Sequence, residues 1–216
     1  MKKYGFFGGA FNPPTIAHEK LALEIAEKYN LDKVYFVPVG NFYNKKDLVD
    51  EKERFKMLKL ISSDKIDVLP IEFNMNKNLN TSEALELINN EYKNVDRYFI
   101  MGGDNLEKLS SWQNPENCLN GNKFIAIERG KKISNIIEND NLLNKYSKNI
   151  FTLENNNLYT YNSTEVRNAI KEKNSEVINK MLNKKVYSYI KIENLYQWGG
   201  IFYENITSYG PVWKCQ

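Results

Sequence analysis

The chain has 216 residues, of which 42% are hydrophobic and 26% are charged, and this length fits one globular domain with or without a short appendage. Thirty basic residues against 27 acidic ones give a net charge of only +3, which argues against a polybasic nucleic-acid binder. A single histidine, His18, and two cysteines, Cys118 and Cys215, argue against a Cys/His zinc site and a disulfide framework.

The elements predicted in chain order alternate between strands and helices. They are a strand at 4–8, a helix at 15–29, a strand at 33–39, a helix at 51–61, a strand at 66–73, a helix at 82–89, strands at 97–101, 123–128 and 149–153, and helices at 163–173, 175–182 and 185–194. This alternation predicts βαβ units and a mostly parallel sheet, which binds ligands beyond the carboxyl ends of its strands where the strand order switches.

Two further expectations concern organisation and location. We expect a domain over residues 1–196, followed by an aromatic-rich tail over 197–216 that either packs back or opens a second unit. The apolar stretch near Met1 is too short for a signal peptide, and no apolar run approaches about 18 residues. With two unpaired cysteines, these features predict a cytoplasmic protein with no membrane partner.

The segment between the first predicted strand and helix resembles a phosphate-binding turn. Residues 8–18 read GGAFNPPTIAH, which is neither a Walker A loop nor a G-x-G-x-x-G fingerprint. Glycines permit close backbone approach, Thr15 is a plausible N-cap, and His18 lies on the same side of the first turn. The structural alternative is a capped helix with an exposed histidine, but the strand–turn–helix context and the single histidine favour an anion site.

A second segment, residues 102–112, reads GGDNLEKLSSW and follows a predicted strand. A ribose or base could rest against Gly102 and Gly103, with Asp104 accepting from a hydroxyl. The structural alternative is a capping box between Asp104 and Glu107. Trp112 is more often a core residue than a stacking platform, although it lies just past the candidate loop.

The third segment, residues 162–167, reads NSTEVR and precedes another predicted helix. Asn162 or Ser163 could simply cap that helix. The functional interpretation adds the Ser163 and Thr164 hydroxyls at a helix N-terminus and the planar fork of Arg167 one turn later, which suits phosphate oxygens.

Together, the three segments resemble the nicotinate/nicotinamide mononucleotide adenylyltransferases of the HxGH-type nucleotidyltransferase superfamily. That family carries G-x-F-x-P-[HT]-x-x-H, G-x-D-x-x-x-x-L-x-x-W and S-T-x-x-R elements, which correspond here to 9–18, with one additional proline in Pro13-Pro14, to 102–112 and to 163–167. Segments 54–58 and 81–85 are similar to two weaker family elements, and the resemblance covers roughly 1–196. Thr15 and Ala17 replace the first His and the Gly of the commoner HxGH form.

The resemblance implies a Rossmann-like nucleotidyltransferase fold with a helical C-terminal part. It implies transfer of the adenylyl group of ATP, with Mg²⁺ and no protein-held metal, to nicotinate or nicotinamide mononucleotide, releasing pyrophosphate. The implied catalytic residues are His18, Thr15 and Arg167. The implied ATP-binding residues are Gly8, Gly9, Ala10, Phe11, Asn12, Thr15, His18, Gly102, Asp104, Ser163, Thr164 and Arg167. The implied mononucleotide-binding residues are Thr81, Asp104, Trp112, Lys45, Lys46 and Arg129.

Two other classes stay open on the sequence alone. Phosphopantetheine adenylyltransferases and cytidylyltransferases share the first element and approximate the last, whereas the middle element with Trp112 separates this chain from them. A non-catalytic nucleotide-binding module is the other class. The sequence decides neither between the nicotinate and nicotinamide acceptors nor whether the chain forms a homo-oligomer.

Overall fold

A computed structural model describes residues 1–45, 47–128, 130–154 and 162–197. Within these ranges, six parallel strands form one sheet. The strands are β1 Lys3–Gly9, β2 Lys33–Pro38, β3 Ile66–Val68, β4 Asp96–Gly102, β5 Lys123–Ile127 and β6 Ile150–Leu153.

Helices make the crossovers between strands and the C-terminal part of the described chain. They are α1 Ile16–Lys28, α2 Glu51–Lys59, α3 Thr81–Glu91, α4 Gly103–Leu106, α5 Pro115–Leu119, α6 Ile133–Glu138, α7 Asn141–Lys145, α8 Ser163–Lys171, α9 Ser175–Met181 and α10 Lys184–Ile192. Short 3₁₀ turns lie at Leu109–Ser111 and Ser147–Asn149. None of the helices in the described ranges combines the length and hydropathy that a membrane span requires.

The strand order β3-β2-β1-β4-β5-β6 confirms the predicted parallel α/β, Rossmann-like class. The chain runs outward from β1 to β3 and then returns to β4 on the other side of β1, with Phe7 paired to both Phe36 and Ile100. The order therefore switches between β1 and β4, where neighbouring carboxyl ends diverge and leave a crevice. The predicted place for a ligand lies at this point.

Two apolar cores cover the two faces of the sheet. On one face, β-strand residues such as Phe7 and Phe36 pack against α1, α2, α8, α9 and α10. On the other, Phe6 and Phe99 pack against the helices from α3 to α7. Alternate residues of the strands other than β3 supply the two cores because side chains along a strand point to opposite faces, whereas β3 contributes only to the first core.

The structure differs from the predicted elements in two respects. The third strand ends at Val68 rather than running to residue 73, because Pro70 follows and residues 71–74 form a turn. The four helices α4 to α7 were not predicted, since at four to six residues each they are too short to show a helical period. All but the first residue of the expected tail lies outside the described residues.

Helix α1 allows a matched test of the core. Leu21 is 1% exposed and packs in the first core, whereas Leu23 on the same helix is 42% exposed. We expect Leu21→Ala to lower the free energy of unfolding by about 2–5 kcal/mol through lost burial and a cavity. Leu23→Ala should change it by less than about 0.5 kcal/mol. Urea unfolding followed by circular dichroism checks this, and equal effects would contradict the assigned packing.

Candidate active site

A cavity of about 510 Å³ opens at the carboxyl ends of β1 and β4. Its floor is formed by Gly8 and Gly9 from β1 and by Met101 and Gly102 from β4. The volume lies within the range typical of small-molecule and cofactor sites. The switch point predicted from the sequence is therefore a concave site in the structure.

Most of the predicted site residues line this one cavity although they come from five segments of the chain, 8–18, 45, 81, 102–112 and 163–164. These residues are Gly8, Gly9, Ala10, Phe11, His18, Lys45, Thr81, Gly102, Asp104, Trp112, Ser163 and Thr164. Three predicted residues, Asn12, Thr15 and Arg167, are buried and do not line it. Lys46 and Arg129 lie outside the described residues.

The turn after β1 takes its shape from Phe11. This residue has a left-handed backbone (φ 48°) and a side chain only 2% exposed. Such a conformation costs a non-glycine residue about 1–3 kcal/mol, so the surrounding packing must hold it. The Phe11 ring packs edge-on against Phe36 and His18, with centroids 5.0 and 5.1 Å away. Phe11 thereby fixes one face of the histidine ring. A Cβ on Gly8, by contrast, would point into open space, so this glycine leaves room for a ligand.

Side chains from distant segments hold the carbonyl oxygens of this turn. Arg54 of α2 donates through Nη1 to the Ala10 carbonyl at 3.1 Å, and Arg167 of α8 donates to the Asn12 carbonyl at 2.9 Å. The Ser163 hydroxyl donates to the carbonyl of Pro13 at 2.9 Å. These bonds fix three carbonyls of the turn between β1 and α1.

His18 closes the N-terminal turn of α1. Its Nδ1 accepts the backbone N–H of the N-cap residue Thr15 and lies equally close to the Thr15 hydroxyl, both at 2.9 Å. This is a capping box in which histidine occupies the usual Glu or Gln position. Because Nδ1 accepts the backbone proton, the tautomer consistent with this contact carries its ring proton on Nε2. The ring is partly buried and also lines the cavity, so its contact with the helix start is compatible with binding a ligand.

The start of α8 brings hydroxyls to the cavity and sets Arg167 behind it. Asn162 is the cap, accepting the backbone N–H of Glu165 at 2.8 Å, which leaves Ser163 and Thr164 on the cavity wall. Arg167 is only 9% exposed, and its second amino group donates to the Thr164 hydroxyl at 3.3 Å. The Arg167 guanidinium thus connects Thr164 to the turn after β1 without itself lining the cavity.

The segment after β4 is arranged differently from a capping box. The N-cap of α4 is Gly102, no side chain caps that helix, and Glu107 instead pairs with Lys131. Asp104 lies exposed in the first turn and lines the cavity. Trp112 is half-buried, packing against the second core while also lining the cavity, so the two interpretations of this tryptophan are compatible.

Four helices begin at the cavity, the short helix α4 and the longer helices α1, α3 and α8. Helices α1, α3 and α8 begin at residues 16, 81 and 163, and each has a residue of its first turn on the cavity wall. Unsatisfied N–H groups and the helix dipole make such ends favourable for phosphate or carboxylate groups. Their convergence indicates a ligand that carries more than one anionic group.

Cationic side chains reinforce this preference. Lys45 lines the cavity, and partial burial, together with the nearby charges of Arg167 and Arg54, lowers its pKa. Burial also lowers the pKa of Arg54, which is 0% exposed and whose Nη2 amino group has no hydrogen-bond partner among the described residues. The sequence signals Arg54 only through the weak similarity at residues 54–58.

Glu72 is a cavity residue that the sequence analysis missed. It follows the shortened strand β3, accepts the backbone N–H of Gly40 at 3.3 Å and lines the cavity with Lys45. Burial raises the pKa of this carboxyl from its ordinary value of 4.5 to about 7, against the opposing effects of the Gly40 bond and the Arg54 charge. Near neutral pH the site therefore holds a carboxyl group that is partly protonated.

The acidic side chains of the site fit a metal that arrives with its ligand. Among the residues that the structure describes, no group of three or more His, Cys, Asp or Glu side chains could hold a metal ion. Asp104 and Glu72 line the cavity. Mg²⁺ commonly uses one or two carboxylates plus the phosphates of a nucleotide and water, so this sparse donor set is compatible with magnesium bound to a nucleoside triphosphate.

The switch-point cavity, the converging helix starts and the cationic wall define a nucleotide-binding α/β protein. In agreement, residues 6–169 match the cytidylyltransferase-like family. The chain is 35% identical over 195 residues to a probable nicotinate-nucleotide adenylyltransferase of Fusobacterium nucleatum, covering 88% of this chain and 98% of that protein. It is also 35% identical over 202 residues to the Clostridium acetobutylicum protein of the same description, covering 91% and 100%.

A solved structure agrees with this assignment. The nicotinic acid mononucleotide adenylyltransferase of Plasmodium falciparum, complexed with NaAD, superposes with a TM-score of 0.77 at 25% identity, covering 92% of this chain and 99% of that one. The chain belongs to the nicotinate-nucleotide adenylyltransferase family and is a nucleotidyltransferase.

The raised pKa of Glu72 predicts a pH dependence of stability. Because the folded state holds this proton more tightly than the unfolded chain, stability should fall as the pH rises from about 4.5 to about 7 and then level off. Glu72→Gln should remove up to about 1.4 kcal/mol of that fall per pH unit. Urea unfolding at pH 5, 6, 7 and 8 measures the difference.

The exposed Glu86→Gln on α3 is the control for losing one negative charge. Parallel stability curves for the wild type and Glu72→Gln would contradict the assignment.

Proposed function

We propose that this chain transfers the adenylyl group of ATP to nicotinate mononucleotide, a step in NAD biosynthesis. The observation that carries the proposal is the meeting of the three motif segments, 8–18, 102–112 and 162–167, around one cavity at the switch point. The family membership and the likeness to a protein complexed with NaAD support the same reaction.

In the proposed reaction a phosphate oxygen of the mononucleotide attacks the α-phosphorus of ATP. The new bond joins that oxygen to the α-phosphorus, the bond from the α-phosphorus to the oxygen bridging to the β-phosphate breaks, and pyrophosphate leaves with its electron pair. Positioning and charge stabilisation dominate such transfers, and no covalent intermediate on the protein is required. The residues below act by binding, orienting and stabilising charge.

We assign the triphosphate to the starts of α1 and α8. His18 would donate from Nε2 to a phosphate oxygen while Thr15 fixes the other ring nitrogen. Ser163 and Thr164 would bind the phosphates that leave, and Arg167 adds positive charge from behind the wall. Mg²⁺, entering with ATP, would neutralise part of the remaining charge.

We assign the acceptor to the part of the cavity near α3 and α4. Asp104 would accept from a ribose hydroxyl, Trp112 would stack on the pyridine ring, and Thr81 lies at the start of α3 on the cavity wall. Lys45 is our candidate for the mononucleotide phosphate because it is the cavity lysine beside two buried arginines. Lys46 and Arg129 stay predictions from the sequence.

We further propose that the catalytic domain ends near residue 196. Relatives whose whole length is nearly covered by the match align with 88–91% of this chain, which supports a unit of this size. ATP and pyridine mononucleotides are metabolites of the cell interior, and on that ground we propose the cytoplasm as its location.

A pyrophosphate-release assay tests the reaction. ATP and CTP are each offered with nicotinate mononucleotide, nicotinamide mononucleotide and phosphopantetheine. We expect turnover with ATP and nicotinate mononucleotide and at least a tenfold lower kcat/KM with the amide. Turnover that needs CTP or phosphopantetheine would reassign the enzyme within its superfamily. ATP binding without turnover on any acceptor would indicate a non-catalytic module.

Substituting His18 tests the assigned chemistry. We expect His18→Ala to lose about 10²–10³-fold in kcat because one preorganised donor to the developing charge is removed. Since His18 also closes the capping box of α1, the loss of a cap could lower stability by about 1 kcal/mol. Steady-state kinetics and thermal unfolding are measured together.

His18→Gln is the matched control, because glutamine can close a capping box but is not an imidazole. We expect the melting temperature of His18→Gln to be closer to that of the wild type than that of His18→Ala is. The kcat of His18→Gln should still be at least tenfold lower than that of the wild type. If His18→Gln or His18→Ala turns over at nearly the wild-type rate, the role assigned to the imidazole is wrong.

A further inference from the structure

A buried tyrosine near the end of the described chain reaches back to the first turn. Tyr196 follows α10, is 2% exposed and donates its hydroxyl to Oδ1 of Asn12 at 2.8 Å, across 184 residues of sequence. Burial raises the pKa of Tyr196, so the phenol keeps its proton and acts as a donor. No sequence motif pointed to this residue.

Asn12, the hydrogen-bond partner of Tyr196, connects two segments of the chain that border the cavity. Asn12 is 0% exposed; its Oδ1 also accepts the backbone N–H of Val49 at 3.1 Å, and its Nδ2 donates to the Asp47 carbonyl at 2.7 Å. Its own carbonyl is held by Arg167. Through Asn12, the turn that leads to His18 is joined to the segment that follows Lys45.

We propose that Tyr196 is a positioning residue for adenylyl transfer, which fixes the amide of Asn12 and thereby the placement of His18 relative to Lys45. This inference rests on the proposed function. Tyr196 does not line the cavity, so it acts through Asn12 and not on a substrate. The two donors on Oδ1 and the one acceptor for Nδ2 specify a single orientation of the amide.

We expect the loss of the Tyr196 hydroxyl to lower kcat more than it lowers the stability of the fold. In Tyr196→Phe the ring stays in the first core, while Oδ1 of Asn12 keeps only the Val49 donor. A displacement of about 1 Å of a catalytic group can cost about 10²-fold in rate. We therefore expect a decrease of roughly 10–100-fold in kcat.

The control is a second tyrosine that loses the same atom. Tyr189, on α10, packs against the same core and donates its hydroxyl to Glu53 rather than to the turn. Tyr196→Phe and Tyr189→Phe are compared in the full chain for kcat, for KM of both substrates, for the affinity for ATP by calorimetry, and for melting temperature.

We expect the kcat loss and an at least threefold weaker ATP affinity in Tyr196→Phe alone, with Tyr189→Phe within twofold of the wild type. Equal kcat losses in the two variants, in proportion to their melting temperatures, would overturn the proposal, as would an unchanged kcat in Tyr196→Phe. If the wild type turns over neither mononucleotide, the proposed function fails. In that case the affinity for ATP tests the role of Tyr196. An unchanged ATP affinity in Tyr196→Phe overturns the proposal for this residue.

Discussion

The turn between β1 and α1 depends on side chains that donate hydrogen bonds to its carbonyl oxygens. A carbonyl of this turn facing a phosphate would repel it, and a buried carbonyl without a donor would cost about 1–3 kcal/mol. The guanidinium groups of Arg54 and Arg167 meet the carbonyls of Ala10 and Asn12. The arrangement is mutual, since a buried guanidinium also needs acceptors. One set of contacts therefore fixes the shape of the turn and brings positive charge behind the cavity.

His18 combines a cap contact at the start of α1 with a place on the cavity wall. In an ordinary capping box the N3 side chain accepts the backbone N–H of the N-cap residue. An imidazole has two ring nitrogens on opposite sides, so one nitrogen can cap the helix while the other faces elsewhere. Nδ1 serves the helix start at Thr15, and the ring lines the cavity against Phe11. The helix thus orients the ring before any ligand arrives, which lowers the entropic cost of arranging the site.

Strong local patterns made most of the sheet and the core of the site predictable. Buried parallel strands appear as continuous apolar runs, and the position of His18 follows from its three-residue spacing to a cap. Arg54 and Glu72 illustrate what local patterns omit. Arg54 lies in a helix in which most residues are charged, and its burial arises only where α2 meets the turn. Glu72 lies within the strand predicted at 66–73, whereas the chain leaves the sheet before Pro70 and places Glu72 in the turn that follows.

The long-range bonds to the first turn have a consequence for how the protein is made. Ser163, Arg167 and Tyr196 contact residues 12 and 13 across 150, 155 and 184 positions. On the ribosome, residues 12 and 13 are made long before residues 163, 167 and 196, which donate the hydrogen bonds to them. Contacts of such separation slow folding, because loop closure must precede the gain from the contact. Catalytic competence should therefore come late in synthesis, so that a nascent chain does not bind nucleotide before its domain is closed.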